Sequence, residues 1–213
     1  MQRYFEWLYL VVTGNFGTSL SNSLPVSQLI ATRLPNSLVL AGLTALVSVP
    51  VALLIGISSA MFRGSLLDRV LNVLTLSTVA VPEFLIATIA VLVFAVKLRW
   101  LPALSYLSEV SSFGGLLRIY AMPVMTLCCV LVAQMARMTR AAVLDQLNAS
   151  YVEMAILKGA SPMRVVLRHV LPNTIGPIAN AVALSLSYLF GGVVIVESIF
   201  NYPGLASLMV DAV

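Results

Sequence analysis

The chain has 213 residues, of which 60% are hydrophobic and 9% charged, against roughly 25% charged in an average soluble domain. A mean hydropathy of +1.02 excludes a water-soluble globular domain and points to an all-α, polytopic transmembrane helical bundle. The net charge of +4 does not make a nucleic-acid footprint, because the basic residues are spread along the borders of apolar runs rather than gathered with stacking aromatics.

Residues 1–36 come first and read as an outer-side interfacial segment. The run Tyr4 to Val12 is too short to cross a bilayer and carries Tyr4, Trp7 and Tyr9, the composition of an amphipathic segment lying at the membrane surface. No secretory signal is expected, since Arg3 is followed by Glu6 inside the apolar run and no small-residue cleavage site follows. An outer N-terminus without a signal is what an earlier, preceding span would leave.

Residues 37–213 read as the transmembrane domain. Four stretches reach the about 17 to 25 residues a spanning helix needs: Ser37 to Phe62, Val70 to Val96, Ile119 to Ala136 and Thr174 to Val196. Pro50, Pro82, Pro123 and Pro177 lie inside them, where neighbouring helices can re-satisfy freed carbonyls, and kinks are expected there. Gly56 and Ala60 share a helix face and would allow close helix approach. Basic residues set the orientation: Arg63 and Arg69 after the first span, and Arg137, Arg140, Lys158, Arg164 and Arg168 between the third and fourth, belong on the cytoplasmic side. The stretch from Lys97 to Arg118, with Trp100, Pro102 and Tyr106, reads as an outer loop.

Within these spans, Glu83 beside Pro82 is an ionisable group at a costly depth. It faces either a wet translocation path or a hydrogen-bonded interior site. Ser185, Ser187 and Tyr188 could line the same path, or the two serines could bond to their own helix carbonyls. Glu197, at the outer end of the fourth span, reads as solvated. Arg137 and Arg140 read as snorkelling to the interface. Cys128 and Cys129 are adjacent, a spacing that suits neither a metal nor a crosslink, and His169 is the single histidine, so no metal or cofactor site is expected.

The polar, basic segment 150–173 contrasts with everything around it. Ser150 and Glu153 have capping-box spacing, Gly159 suits a left-handed helix end, and Ser161-Pro162 offers a new N-cap with proline at the first helical position. Leu171-Pro172 is expected to end the second helix. The reading is helix, turn, helix.

In this hairpin Glu153, Ala155, Gly159, Leu171 and Pro172 fall in the register of the EAA loop of bacterial binding-protein-dependent ABC importer permeases, with Met154 and His169 as substitutions. The segments Ala136-Arg-Met-Thr-Arg140, Arg168-His-Val-Leu-Pro-Asn173, Gly17-Thr-Ser19, Arg33-Leu-Pro35, Trp100-Leu-Pro-Ala103, Glu197-Ser-Ile-Phe200 and Tyr202-Pro-Gly-Leu205 are similar to the dipeptide, oligopeptide and nickel branch. Such permeases usually have six spans. This chain reads as lacking the first and the last.

The resemblance implies a multi-pass subunit of the bacterial inner membrane. It would work with a second permease subunit, two cytoplasmic ATPase subunits and an external solute-binding protein. The hairpin at about 137–173 would be the coupling loop: Glu153, Lys158, Arg164 and Arg168 supply polar contacts to the ATPase, Tyr151, Val152, Ala155 and Ile156 the apolar part, and Gly159 the tight turn. Short peptides are the implied cargo, with nickel or another small solute as the alternative, and an inactive truncated permease as a further one. An enzyme is not expected, since no Gly-x4-Gly-Lys-Ser/Thr loop is present and the lone histidine lies in the hairpin, with Asp68, Asp145 and Asp211 outside the span cores. A secondary transporter or channel is the rival class, and dependence on a partner ATPase separates the two.

Overall fold

The computed structural model describes residues 2–19, 23–106 and 112–212, and among them every regular element is a helix. Helix α1, Gln2–Val12, exposes Tyr4, Phe5, Trp7 and Tyr9, with the Tyr4 ring 5.7 Å from that of Phe5 and 6.3 Å from that of Trp7. Helix α2, Val26–Met61, has 36 residues and starts well before the hydropathic stretch. At 1.5 Å per residue it is about 54 Å long, so it overruns a hydrocarbon layer of about 30 Å. Residues 107–111 of the expected outer loop lie outside the described residues.

After a tight turn the chain returns in α3, Leu66–Ala80, whose first turn is capped by the Ser65 hydroxyl accepting from the Asp68 N–H at 3.2 Å. The expected single span from Val70 to Val96 is not one helix. It breaks at Val81–Pro82, and the two halves meet at 99°. Proline lacks the N–H and forces its predecessor out of the helical region, and Val81 indeed sits at φ −90° and ψ 127°. Helix α4, Glu83–Ala90, then continues as a π-helical stretch over Val91–Lys97.

Pro50, Pro123 and Pro177 remain inside continuous helices. The third span is the 35-residue α5, Phe113–Leu147. The fourth runs without a stop from the hairpin: α7, Pro162–Val165, passes through a π turn at Val166–Val170 into α8, Leu171–Ile199. Leu171-Pro172 therefore does not terminate the helix. The Leu171 N–H reaches back five residues to the Val166 carbonyl, and this wider turn carries the chain past the missing proline donor. A short α9, Leu205–Asp211, follows.

Among the described residues, three to four helical units are long and apolar enough to span a membrane. Helix α5 runs through the middle of the bundle against α2, α3, α4 and α8. The core lies along it in three clusters. Leu40, Met122, Leu127, Leu189, Val196 and Phe200 fill the end away from the hairpin, Ala52, Met135 and Ala136 the centre, and Ala60, Val143, Val152, Val165 and Val170 the hairpin end. Gly56 marks a close approach of α2 to α5: a Cβ there would overlap the Ala136 carbonyl and the Thr139 side chain, so only a glycine fits between the two helices here. Leu46, Leu54, Leu66, Ile175 and Phe190 point outward, the pattern of a bundle whose solvent is lipid.

Candidate functional site

The hairpin is built on its turn. Helix α6, Ser150–Leu157, ends at Lys158, and Gly159 takes φ +80°. The Ala160 N–H donates to the Ala155 carbonyl at 3.1 Å and the Gly159 N–H to the Ile156 carbonyl at 2.9 Å, the paired bonds of a Schellman end. Ser161 then precedes Pro162 at the start of α7. The capping box is not realised. Helix α6 begins one residue earlier than expected, with Ala149 at the N-cap and no side-chain capping bond, so Ser150 lies in the first helical turn and Glu153 is exposed.

Sidedness within the hairpin also differs from expectation. Val152 and Ala155 do not face outward. They are buried on Ala60, Val143, Val165 and Val170 and fasten the hairpin to the bundle, with Leu171 packed alongside. The outer face carries Tyr151, Met154, Ile156, Leu157, Met163 and Leu167, of which Leu157 is 75% exposed. Glu153, Lys158, Arg164, Arg168 and Pro172 are exposed around that apolar surface. Tyr151 is held in place by its hydroxyl donating to Gln146 Oε1 at 2.8 Å. An exposed apolar patch rimmed by charge suits the docking of another protein.

The candidate path residues do not share one face. Glu83 opens α4 at the break and lays its carboxylate against Gly192 of α8, where a Cβ would overlap it. Ser185 is fully buried and its hydroxyl has no hydrogen-bond partner among the described residues, whereas the exposed Ser187 hydroxyl donates to its own helix at the Ala183 carbonyl, 3.0 Å away. Tyr188 is 65% exposed on the outer surface of α8.

Two polar clusters escaped the sequence reading. Asp68 is buried at the hairpin end and is gripped by Arg140, whose Nε donates to Oδ1 at 2.9 Å and Nη2 to Oδ2 at 3.0 Å. Ser59 Oγ and Asn72 Nδ2 donate to Oδ1 at 2.5 and 2.6 Å, and the Gly64 N–H donates to Oδ2 at 2.9 Å. Arg140 therefore does not snorkel: a bidentate carboxylate is within reach, and the pair is worth more than a solvated guanidinium beside a buried acid. Arg137 is exposed.

The second cluster closes the opposite end. Glu197 is not solvated but fully buried, accepting from the Ser37 hydroxyl at 2.5 Å and the Ser207 N–H at 2.9 Å. Ser37 Oγ in turn accepts the Leu205 N–H at 2.8 Å, and Asn36 Nδ2 donates to the Pro203 carbonyl at 2.8 Å. The Tyr202 hydroxyl donates to the Asn36 carbonyl at 2.9 Å, which leaves Tyr120 as donor in the 3.1 Å contact between the two phenols. Burial first, then Tyr120 and Glu197, push the Tyr202 phenol well above its ordinary range, so it stays a donor. The signals available were Ser65 spaced three before Asp68 and the repeated polar residues after Glu197. Neither names a partner 72 or 160 positions away.

Comparison with known proteins fits this architecture. Residues 52–213 match the family described as binding-protein-dependent transport system inner membrane component. The chain is 36% identical over 211 residues to a protein of Sinorhizobium fredii named a probable peptide ABC transporter permease, covering 99% of this chain and 67% of that one. It is 35% identical over 211 residues to the glutathione transport system permease protein of Salmonella choleraesuis, covering 99% and 66%. The chain thus spans about two thirds of the length of these relatives.

Proposed function

The chain belongs to the family of inner membrane components of binding-protein-dependent transport systems, and we propose that it is the membrane-spanning permease subunit of an ATP-driven importer of short peptides. The observation that carries this reading is the two-sided hairpin. Its inner face is locked to the bundle through Val152, Ala155, Val165 and Val170, and its outer face offers Met154, Ile156, Leu157 and Met163 to a partner.

The partners are two cytoplasmic ATPase subunits on that outer face, a second permease subunit beside the bundle and an external solute-binding protein at the opposite end. The membrane is the bacterial inner membrane, the hairpin lies on its cytoplasmic side, and residues 1–36 lie on the outer side. Peptide cargo is supported by the names of the Sinorhizobium and Salmonella relatives.

Coupling follows from rigidity. Helix α5 is continuous over 35 residues and joins the membrane interior directly to the hairpin. Helices α7 and α8 leave the other arm of the hairpin with no loop between them. When ATP binding moves the ATPase subunits, a hairpin anchored by a packed core moves as one body, and α5 and α8 tilt with it. Gly159 gives the turn its shape, Glu153, Lys158, Arg164 and Arg168 fix the approach of the partner through rim charges, and the exposed apolar residues supply affinity. Glu83, Ser185, Ser187 and Tyr188 are candidates for contact with the moving solute.

Uptake of a labelled dipeptide by cells carrying this chain with its partner subunits, compared with cells lacking only this chain, tests the proposal. Uptake that disappears with the chain is the expected result, and equal uptake in both strains contradicts it.

A further inference from the structure

We propose that Asp68 and Arg140 form the positioning pair that carries motion of the hairpin into the broken span, an inference that rests on the permease reading. Arg140 stands on α5 one turn before Val143, which packs into the hairpin core. Its guanidinium binds the carboxylate of Asp68 through both oxygens, with Ser59 of α2 donating to the same group and accepting from Arg140 Nε at 3.1 Å. One carboxylate thereby fixes three helices at the level of the hairpin.

The choice of chemistry is informative. A buried ion pair adds little net stability compared with well-packed apolar side chains of the same size, and its best-attested use is to specify register. The planar fork of an arginine on a carboxylate, supported by the Gly64 N–H and the Asn72 amide, fixes both the rotation of α3 and its height against α5. Apolar contacts would allow sliding. Gly56 already presses α2 onto α5 at Ala136 and Thr139, so displacement of this pair of helices is passed to α3 without slip.

Helix α3 ends, about 22 Å from its start, at the Val81–Pro82 break, beyond which Glu83 lies on Gly192 of α8. The bond between Asp68 and Arg140 is therefore at the driven end of a lever whose free end holds the one ionisable group of α4. When the hairpin moves, the pair keeps α3 in register with α5, and the break together with Glu83 shifts against α8. Without it the hairpin moves and the break does not follow.

The test uses the whole transporter in vesicles, with dipeptide uptake and ATP hydrolysis measured on the same preparation for wild type, Asp68→Asn and Arg140→Lys. Lysine keeps the charge and loses the fork. The expected result is an unchanged amount of protein in the membrane, hydrolysis within about twofold of wild type and uptake per ATP lower by about tenfold. Unchanged uptake per ATP in both variants overturns the proposal, and so does failure of both to accumulate, since the pair then only holds the fold. If the wild-type complex hydrolyses ATP and takes up no dipeptide, the peptide reading fails by itself. The pair is then judged by a fluorescent probe at Phe84→Cys, with Cys128 and Cys129 replaced by serine. An ATP-dependent signal in wild type that is lost in Arg140→Lys supports the pair, and the same signal in both overturns it.

Discussion

The Ser207 N–H donates to the Glu197 carboxylate at 2.9 Å, so an acidic side chain from the last turn of α8 caps the first turn of α9. The Ser37 hydroxyl of α2 meets the same carboxylate and also accepts the Leu205 N–H. This end of the bundle is held by polar bonds between segments far apart in the chain, where a lipid-facing bundle has little hydrophobic force to offer.

Glu197→Ala leaves the Ser37 hydroxyl and the Ser207 N–H, both partly buried, without this acceptor, and a loss of about 2 kcal/mol is expected for such unpaired groups. Glu197→Gln keeps one acceptor oxygen and should lose less. Gly204→Ala should resemble Glu197→Ala, because a Cβ at Gly204 would overlap the carboxylate. Thermal unfolding of the purified protein in detergent, with proteolysis of the α9 segment as a local probe, ranks the three.

Gly56 and Gly42 make a matched pair on α2. A Cβ on Gly56 would collide with α5, whereas nothing lies within 4 Å of one on Gly42. Gly56→Leu is expected to destabilise on the order of 2 kcal/mol or more by forcing α2 and α5 apart. Gly42→Ala should be neutral, and membrane accumulation of the two variants reads the difference.

Gly159→Val meets a different obstacle. Nothing crowds this position, but φ +80° is strained for a side chain and more so for a β-branched one. The cost of about 1 to 2 kcal/mol falls on the hairpin turn rather than on the bundle. Faster hydrogen exchange at position 159 and at Ala160, with an unchanged global unfolding midpoint and reduced uptake, is the expected combination.

Gly192→Ala tests the contact at the break. The added methyl would push Glu83 off α8. If the solute passes near Glu83, uptake falls in Gly192→Ala and in Glu83→Gln while ATP hydrolysis persists; unaltered uptake in both places the path elsewhere.

Local chemistry made some features legible and hid others. The hairpin could be read because its turn is written in consecutive residues, Gly159 followed by Ser161-Pro162, and the spans because hydropathy is a sum over neighbours. Pro82 carried the same local signal as Pro50, Pro123 and Pro177, yet only Pro82 coincides with a break, where Ala87 and Ala90 turn inward and Glu83 meets Gly192. That difference lies in the packing around each proline. The faces of the hairpin differ from expectation for a related reason: helical periodicity shows that Val152 and Ala155 share a side, and the bundle decides that this side is the buried one. Asp68 with Arg140, and Glu197 with Ser37, are pairs that become visible only when distant helices are brought together.

If the hairpin's exposed face receives the force of ATP hydrolysis, a charge placed on that face uncouples transport. ATP-driven uptake of labelled dipeptide into vesicles holding the complete transporter, compared between wild type and Leu157→Asp, reads this. Leu157 is the most exposed apolar residue of the hairpin, so the substitution should leave folding intact. Uptake reduced by about tenfold or more, as for loss of an interface anchor, with normal protein levels and weakened retention of the ATPase subunits, is the expected result. Wild-type uptake and wild-type retention of the ATPase in Leu157→Asp would contradict the claim.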